Sequence, residues 1–171
     1  MIIKQTSLDT ILGIDPGFGR VGFGVIAQTS AKSWNVVDYG CIETSAKLPF
    51  ADRLLEIERR ITDIIKKYKP TRMAVEKLFF FRNVTTAIEV GHARGVILLT
   101  AAKAGLEIDE FTPLQIKQAI TGYGKAEKPQ MQKMVATILN IKEKIKSDDA
   151  ADALAAALCA GQSLWIKKLC K

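Results

Sequence analysis

The stretch that most constrains the fold is Ile11-Leu12-Gly13-Ile14-Asp15-Pro16-Gly17-Phe18-Gly19-Arg20, an apolar run that ends on one carboxylate and then turns. Ile11 to Ile14 reads as a buried strand. Pro16-Gly17 and Gly19 supply turn chemistry, because glycine takes positive φ at no steric cost. Val21 to Ala27 is again strand-like, so the two runs form a hairpin with Asp15 at the tip of the first strand. A carboxylate held there is rigid while its oxygens stay open to solvent, which suits a metal ligand. Taken alone, Asp-Pro-Gly signals only a turn. Gly17-x-Gly19-x-x-Gly22, with Asp38 downstream, also fits the dinucleotide fingerprint. That fingerprint needs a helix opening at its last glycine, and the β-branched, glycine-rich run after Val21 is a poor helix former, so it is set aside.

At 171 residues and 48% hydrophobic, the chain is long enough for one well-filled domain over 1–171, with 1–9 an extension before the first strand. No apolar run approaches the roughly 20 residues that span a bilayer, and residues 1–10 lack a signal-peptide pattern. A cytoplasmic protein with no membrane partner is expected. Cys41, Cys159 and Cys170 show neither paired nor metal-type spacing, which suits a reducing compartment where thiols act as small apolar residues. The net charge is +7, and from Thr112 onward ten lysines face five acids. That excess points to an anionic partner, and a polyphosphate backbone rewards such clustering by releasing counterions.

Ser33 to Thr44 reads as a third strand, completing an antiparallel meander. Pro49 then opens a helix in which Phe50, Leu54, Ile57, Ile61, Ile64, Ile65 and Tyr68 recur at spacings of three and four, until Pro70 ends it. Arg72-Met73-Ala74-Val75-Glu76 repeats the earlier pattern, a short apolar run finishing on an acid. A strand reached through a crossover helix runs parallel to the first, so Asp15 and Glu76 should emerge at one sheet edge, where open α/β sheets place their ligands.

Phe79-Phe80-Phe81 follows, and three consecutive aromatics in extended chain cannot all point inward. An exposed one beside the acids is able to stack on a base. A helix over about 85–104 comes next, rich in small residues for close packing; its His92, the only histidine, has no metal-ligand companion at helical spacing except Glu89. Leu106 to Phe111 reads as the fifth strand. Thr112-Pro113-Leu114-Gln115 then carries a capping box with proline at the first helical position. The basic loop after Gly122 and its borders hold Lys117, Lys125 and Lys128, a candidate set of phosphate contacts. After a helix over about 129–139 and a charged linker at 142–146, Ser147 caps a last helix beginning Asp148-Asp149-Ala150-Ala151-Asp152. Dipole compensation accounts for acids in a first turn. Asp149 and Asp152, at i and i+3, share a face, and the alanines around them let this helix lie close on the sheet.

Four carboxylates, Asp15, Glu76, Asp149 and Asp152, without a neighbouring histidine or nucleophile pattern call for a hard divalent cation, since unneutralised acids at that density repel. Mg²⁺ is expected, with Mn²⁺ substituting and two ions per site. Such a pair clamps the attacking and leaving oxygens of an in-line displacement at phosphorus. With the basic loop alongside, the substrate is a nucleic-acid phosphodiester.

The motifs Gly13-Ile-Asp15-Pro-Gly-x-Gly, Val75-Glu76-Lys-Leu-Phe79-Phe, Gly91-x-Ala-Arg94-Gly95, Lys117 through Gly122, Ala126-Glu-Lys128 and Asp149-Ala-Ala-Asp152-Ala-Leu-Ala together resemble the RuvC family of Holliday junction resolvases, over residues 10–159. The resemblance implies an α/β, RNase H-like fold: a five-stranded mixed sheet, three antiparallel strands then two parallel, with helices on both faces. It implies a homodimer, joined largely through the 85–104 helix, that sets two active sites on one four-way DNA junction and nicks two strands of like polarity. Ligatable 5′-phosphate ends would be left. By position, Asp15, Glu76, Asp149 and Asp152 resemble the family's metal-binding catalytic acids, Lys117 and Lys128 its basic residues near the scissile phosphate, and Phe79 its junction-contacting aromatic. The family varies between Asp and His at the Asp149 position. Partnership with the RuvA and RuvB branch-migration proteins is also implied, and no nucleotide cofactor is expected. Two other classes stand against this. An ATP-binding protein of the actin and sugar-kinase type begins similarly but needs a second phosphate hairpin for which the chain is too short, and a structural DNA binder would be hindered by four acids.

Overall fold

The computed structural model describes residues 9–30, 32–77 and 84–169. The expected meander is present as β1 (Thr10–Asp15), β2 (Arg20–Gln28) and β3 (Trp34–Glu43). Helix α1 (Phe50–Tyr68) crosses over to β4 (Arg72–Glu76), ending at Lys69 in the left-handed region (φ 47°) just before Pro70. Helix α2 (Val84–Lys103) leads to β5 (Glu107–Phe111). Three helices close the order: α3 (Pro113–Thr121), α4 (Lys128–Ile138) and α5 (Asp148–Leu169). Phe79, Phe80 and Phe81 lie outside the described residues.

The sheet runs β3-β2-β1-β4-β5, with β1–β2 and β2–β3 antiparallel and β1–β4 and β4–β5 parallel, as the resemblance implied. Alternation along the strands divides the core between two faces. Leu12 and Ile14 of β1 and Val21 and Val25 of β2 join Ile57, Ile61 and Ile97 of α1 and α2. Ile11 and Ile26 join Leu154 and Leu158 of α5, with Ile116, Ile120 and Val135 of α3 and α4 behind them. Helix α5 is therefore sandwiched between the sheet and two other helices, which is why Ala153 through Ala160 are all buried. In the charged connection before it, Ile145 is buried as well.

The closeness of α5 to the sheet follows from three glycines. A Cβ on Gly13 would stand 1.9 Å from the Ala153 carbonyl oxygen, one on Gly22 2.0 Å from that of Asp149, and one on Gly24 2.6 Å from Leu154 Cδ2. No side chain fits at these points on β1 and β2, so helix backbone rests directly on strand backbone. The predicted capping box also forms: Gln115 N–H donates to Thr112 Oγ1 (3.1 Å) and Thr112 N–H to Gln115 Oε1 (2.8 Å). It fixes where α3 leaves the sheet edge. Among the described residues no helix is long and apolar enough to cross a membrane.

Gly22→Ala is expected to lift the start of α5 off the sheet, because the obstructing atom is backbone. We expect urea unfolding to register a loss of roughly 1 to 3 kcal/mol, the usual cost of overpacking. A variant as stable as the parent would contradict the close-contact account.

Candidate active site

Asp15 is the last residue of β1 and Glu76 the last of β4. These strands are parallel neighbours, with Ile14 opposite Val75, so the two carboxylates leave the same sheet edge side by side. The first turn of α5 crosses that edge with the Asp149 backbone against Gly22. Asp152, one turn further on, faces a cleft of about 190 Å³ that it lines with Glu76, Lys117, Lys128, Pro113 and Met131.

The electrostatics show how crowded the acids are. Burial, then the charges of Asp152, Glu76 and Asp149, push the Asp15 carboxyl from its ordinary 3.8 up to about 7, with Lys128 opposing. Burial and Asp152 also raise Glu76, against Lys117 and Lys128. Asp152 is raised chiefly by burial, and the Lys128 ammonium offsets part of the rise. Asp15 thus lies in the field of the other three candidate acids.

Two of the four are held by cationic side chains. Asp149 Oδ2 accepts from Arg20 Nε at 3.0 Å and lies 3.7 Å from the Cys41 thiol, which burial keeps protonated. Lys128 Nζ stands 3.5 Å from Asp152 Oδ2 and 3.2 Å from Asp148 Oδ2, and Asp148 also accepts from Gln132 Nε2 at 2.7 Å. Among the described residues no three acidic, histidine or cysteine side chains already stand at metal-holding spacing. The donor set nevertheless fits a hard divalent cation: all its atoms are carboxylate oxygens, and their charge is left in excess by the two lysines of the cleft.

Of the remaining candidates, Lys117 and Lys128 line the cleft, whereas Lys125 is exposed in the turn before α4 and does not. Phe79 lies outside the described residues. Sequence reasoning passed over Arg20 and Asp148. Asp148 stands at i−4 from Asp152, a spacing that places both on one helix face, and that signal was available. Nothing local links Arg20 to a residue 129 positions away.

The model of the crossover junction endodeoxyribonuclease RuvC family matches residues 11–160. The chain is 55% identical to crossover junction endodeoxyribonuclease RuvC of Halothermothrix orenii over 158 residues, covering 92% of this chain and 95% of that one. It is 52% identical to the protein of that name from Petrotoga mobilis, over 88% and 92% of the two chains. Among solved structures, RuvC of T. thermophilus in complex with Holliday junction substrate superposes with a TM-score of 0.88 at 34% identity, over 93% of this chain and 96% of that one. The yeast mitochondrial Holliday junction resolvase Ydc2 shares the fold at a TM-score of 0.69 and 13% identity, over 93% and 79%. With its motifs, sheet order and cleft as described, the chain belongs to the RuvC family of crossover junction endodeoxyribonucleases.

Proposed function

We propose that this protein resolves four-way DNA junctions by hydrolysing one phosphodiester in each of two strands of like polarity. The observation that carries the proposal is the convergence of Asp15, Glu76 and Asp152 on one sheet edge, beside a cleft into which Lys117 and Lys128 also face. In this reading one nuclease domain works in the cytoplasm, as a homodimer, with RuvA and RuvB delivering the junction.

Asp15, Glu76, Asp149 and Asp152 would hold the cation, Mg²⁺ with Mn²⁺ able to replace it, two per site. Bound there, such ions supply Lewis acidity to the phosphoryl oxygens and a more acidic water. Asp15 and Glu76, fixed at strand ends, set the site's position relative to the sheet. A cation held there would compete with Arg20 for Asp149 and with Lys128 for Asp152, so Lys128 would be free to pair with the scissile phosphate, which Lys117 would meet from α3. Water attacks phosphorus, the bond to O3′ breaks, and a 3′-hydroxyl and a ligatable 5′-phosphate remain.

The dimer reading is supported by the outer face of α2. Ile88, Gly91, Gly95 and Leu99 fall on one stripe; Ile88 and Leu99 are more than half exposed, and a Cβ at either glycine would meet nothing within 4 Å. A second copy laid along that stripe would bury it.

Incubation with a mobile four-way junction and with linear duplex, each with and without Mg²⁺, is expected to give paired nicks only in the junction with the ion present. Asp15→Asn is expected to slow cleavage by roughly 10³-fold or more, the scale for removing a group that acts on transition-state charge. Its junction affinity should be equal or tighter, because repulsion of phosphate falls. Metal-dependent nicking retained by that variant would refute the assignment.

Without divalent ions the same substitution should stabilise the fold. The Asp15 carboxyl is raised when folded, so above pH 7 the native state carries its full charge penalty, which fades as pH falls from about 7 toward 3.8. Asp15→Asn in EDTA should therefore exceed the parent by roughly 2 to 4 kcal/mol at pH 8, since each pH unit by which folding raises a carboxyl corresponds to about 1.4 kcal/mol. The gap should narrow steadily toward pH 5 in parallel chemical denaturations. Leu99→Asp is expected to convert a dimer into a monomer in analytical ultracentrifugation with the helical circular dichroism unchanged.

A further inference from the structure

A groove of about 570 Å³, three times the volume of the catalytic cleft, lies between α4 and the connection leading to α5. Gln132, Lys133 and Thr137 form its helix side, and Asn140, Lys142 and Lys144 its other side. Three lysines thus meet a single acid of the lining, Glu143. All three are exposed, and among the described residues none stands in an ion pair, whereas Lys128 does. Within the lining their charge exceeds that of Glu143 by two.

The groove neighbours the cleft, and Asp148 contacts a lining residue of each. Lys128 faces the cleft and pairs with Asp148, and Gln132, one turn along α4, lines the groove and donates to the same Asp148. Asp148 is therefore a shared anchor, pairing with Lys128 of the cleft and accepting from Gln132 of the groove. From Lys128 to Ile138 the helix rises about 15 Å, the length of some four nucleotides of one strand at about 3.4 Å each.

We propose that this groove binds the sugar-phosphate backbone of the DNA arm leaving the catalytic cleft, with Lys133, Lys142 and Lys144 each neutralising one phosphate. The assignment rests on the junction-nuclease reading and extends it to a second, sequence-independent contact. Lysines on two flexible-stemmed walls with amide and hydroxyl groups between them suit a backbone and read no base edges. The contact orients the arm; cleavage itself stays with the cleft.

The test uses the full chain and a fluorescent four-way junction, with EDTA to prevent cleavage and binding followed by anisotropy across a NaCl series. For K133A/K142A/K144A the slope of log affinity against log salt is expected to become shallower by about 2 to 3, close to 0.9 for each phosphate no longer neutralised. At the lowest salt, binding should weaken roughly 10- to 100-fold. Single-turnover nicking at saturating enzyme should be unchanged. K66A/K67A/K103A, at the opposite edge of the sheet, removes the same charge and should leave the slope within one unit of the parent. An unaltered slope in the groove variant would overturn the proposal and leave the groove to some other partner, such as an acidic protein. An equal loss in both variants would also overturn it, since general charge would then explain the effect. Failure of the parent itself to prefer a junction over linear duplex is a separate result, and it would remove the resolvase reading together with this extension.

Discussion

Contact between the backbone of α5 and the strands beneath it is the constraint on which the site depends. A helix normally stands off a sheet by the length of its side chains; here Gly13, Gly22 and Gly24 remove those spacers from β1 and β2. The alanines at 150, 153 and 157 remove them from the helix. Helix and sheet together then bury Leu154 and Leu158, each worth about 2 kcal/mol of transfer free energy. The geometric consequence matters more than the energy. Only a helix this close brings carboxylates from its first two turns into the electrostatic field of acids on short strand ends.

That closeness creates a second constraint, because the acids brought together repel. The protein answers in two ways. Asp15, the most buried of them, takes up a proton near neutral pH. Asp149 and Asp152, nearer solvent, recruit Arg20 and Lys128. If these acids hold a cation as proposed, the charge density that the fold suppresses on its own is the density the cation needs, and the cost of gathering the acids and their affinity for it have one origin.

Much of this was legible in the residue order. The twin pattern of an apolar run ending on an acid, at Asp15 and again at Glu76, gives both strands and, with one crossover helix between them, their shared edge. Ser147, Thr112 and Pro113 mark helix starts that the hydrogen bonds reproduce. Gly22 and Gly24 were informative only in part: they argue against a helix, while their need to admit α5 depends on a segment more than 120 residues later. The same distance hides Arg20 from Asp149. Asp148 was passed over because a first-turn acid is sufficiently explained by the helix dipole, although its i+4 relation to Asp152 already put the two on one helix face. The groove beside α4 was hidden for another reason, since lysines in a loop announce charge but not whether the chain itself supplies their counterions.

The two classes of acid differ in what they allow. Asp15 and Glu76 cannot shift without disturbing paired strands, so in the proposed mechanism they define where chemistry takes place. The partners of Asp149 and Asp152 are different, since the Arg20 and Lys128 side chains are both more than half exposed. Ion pairs this exposed are weak, so exchanging them for an ion or a phosphate, as proposed, would cost little. On the proposed reading Arg20 and Lys128 act as placeholders, keeping the helix acids oriented without binding them firmly. A buried pair in their place would hold those acids too tightly and oppose loading. The solvent exposure of these cations is thus what allows a rigid pair of strand acids to be completed by an adjustable pair from the helix.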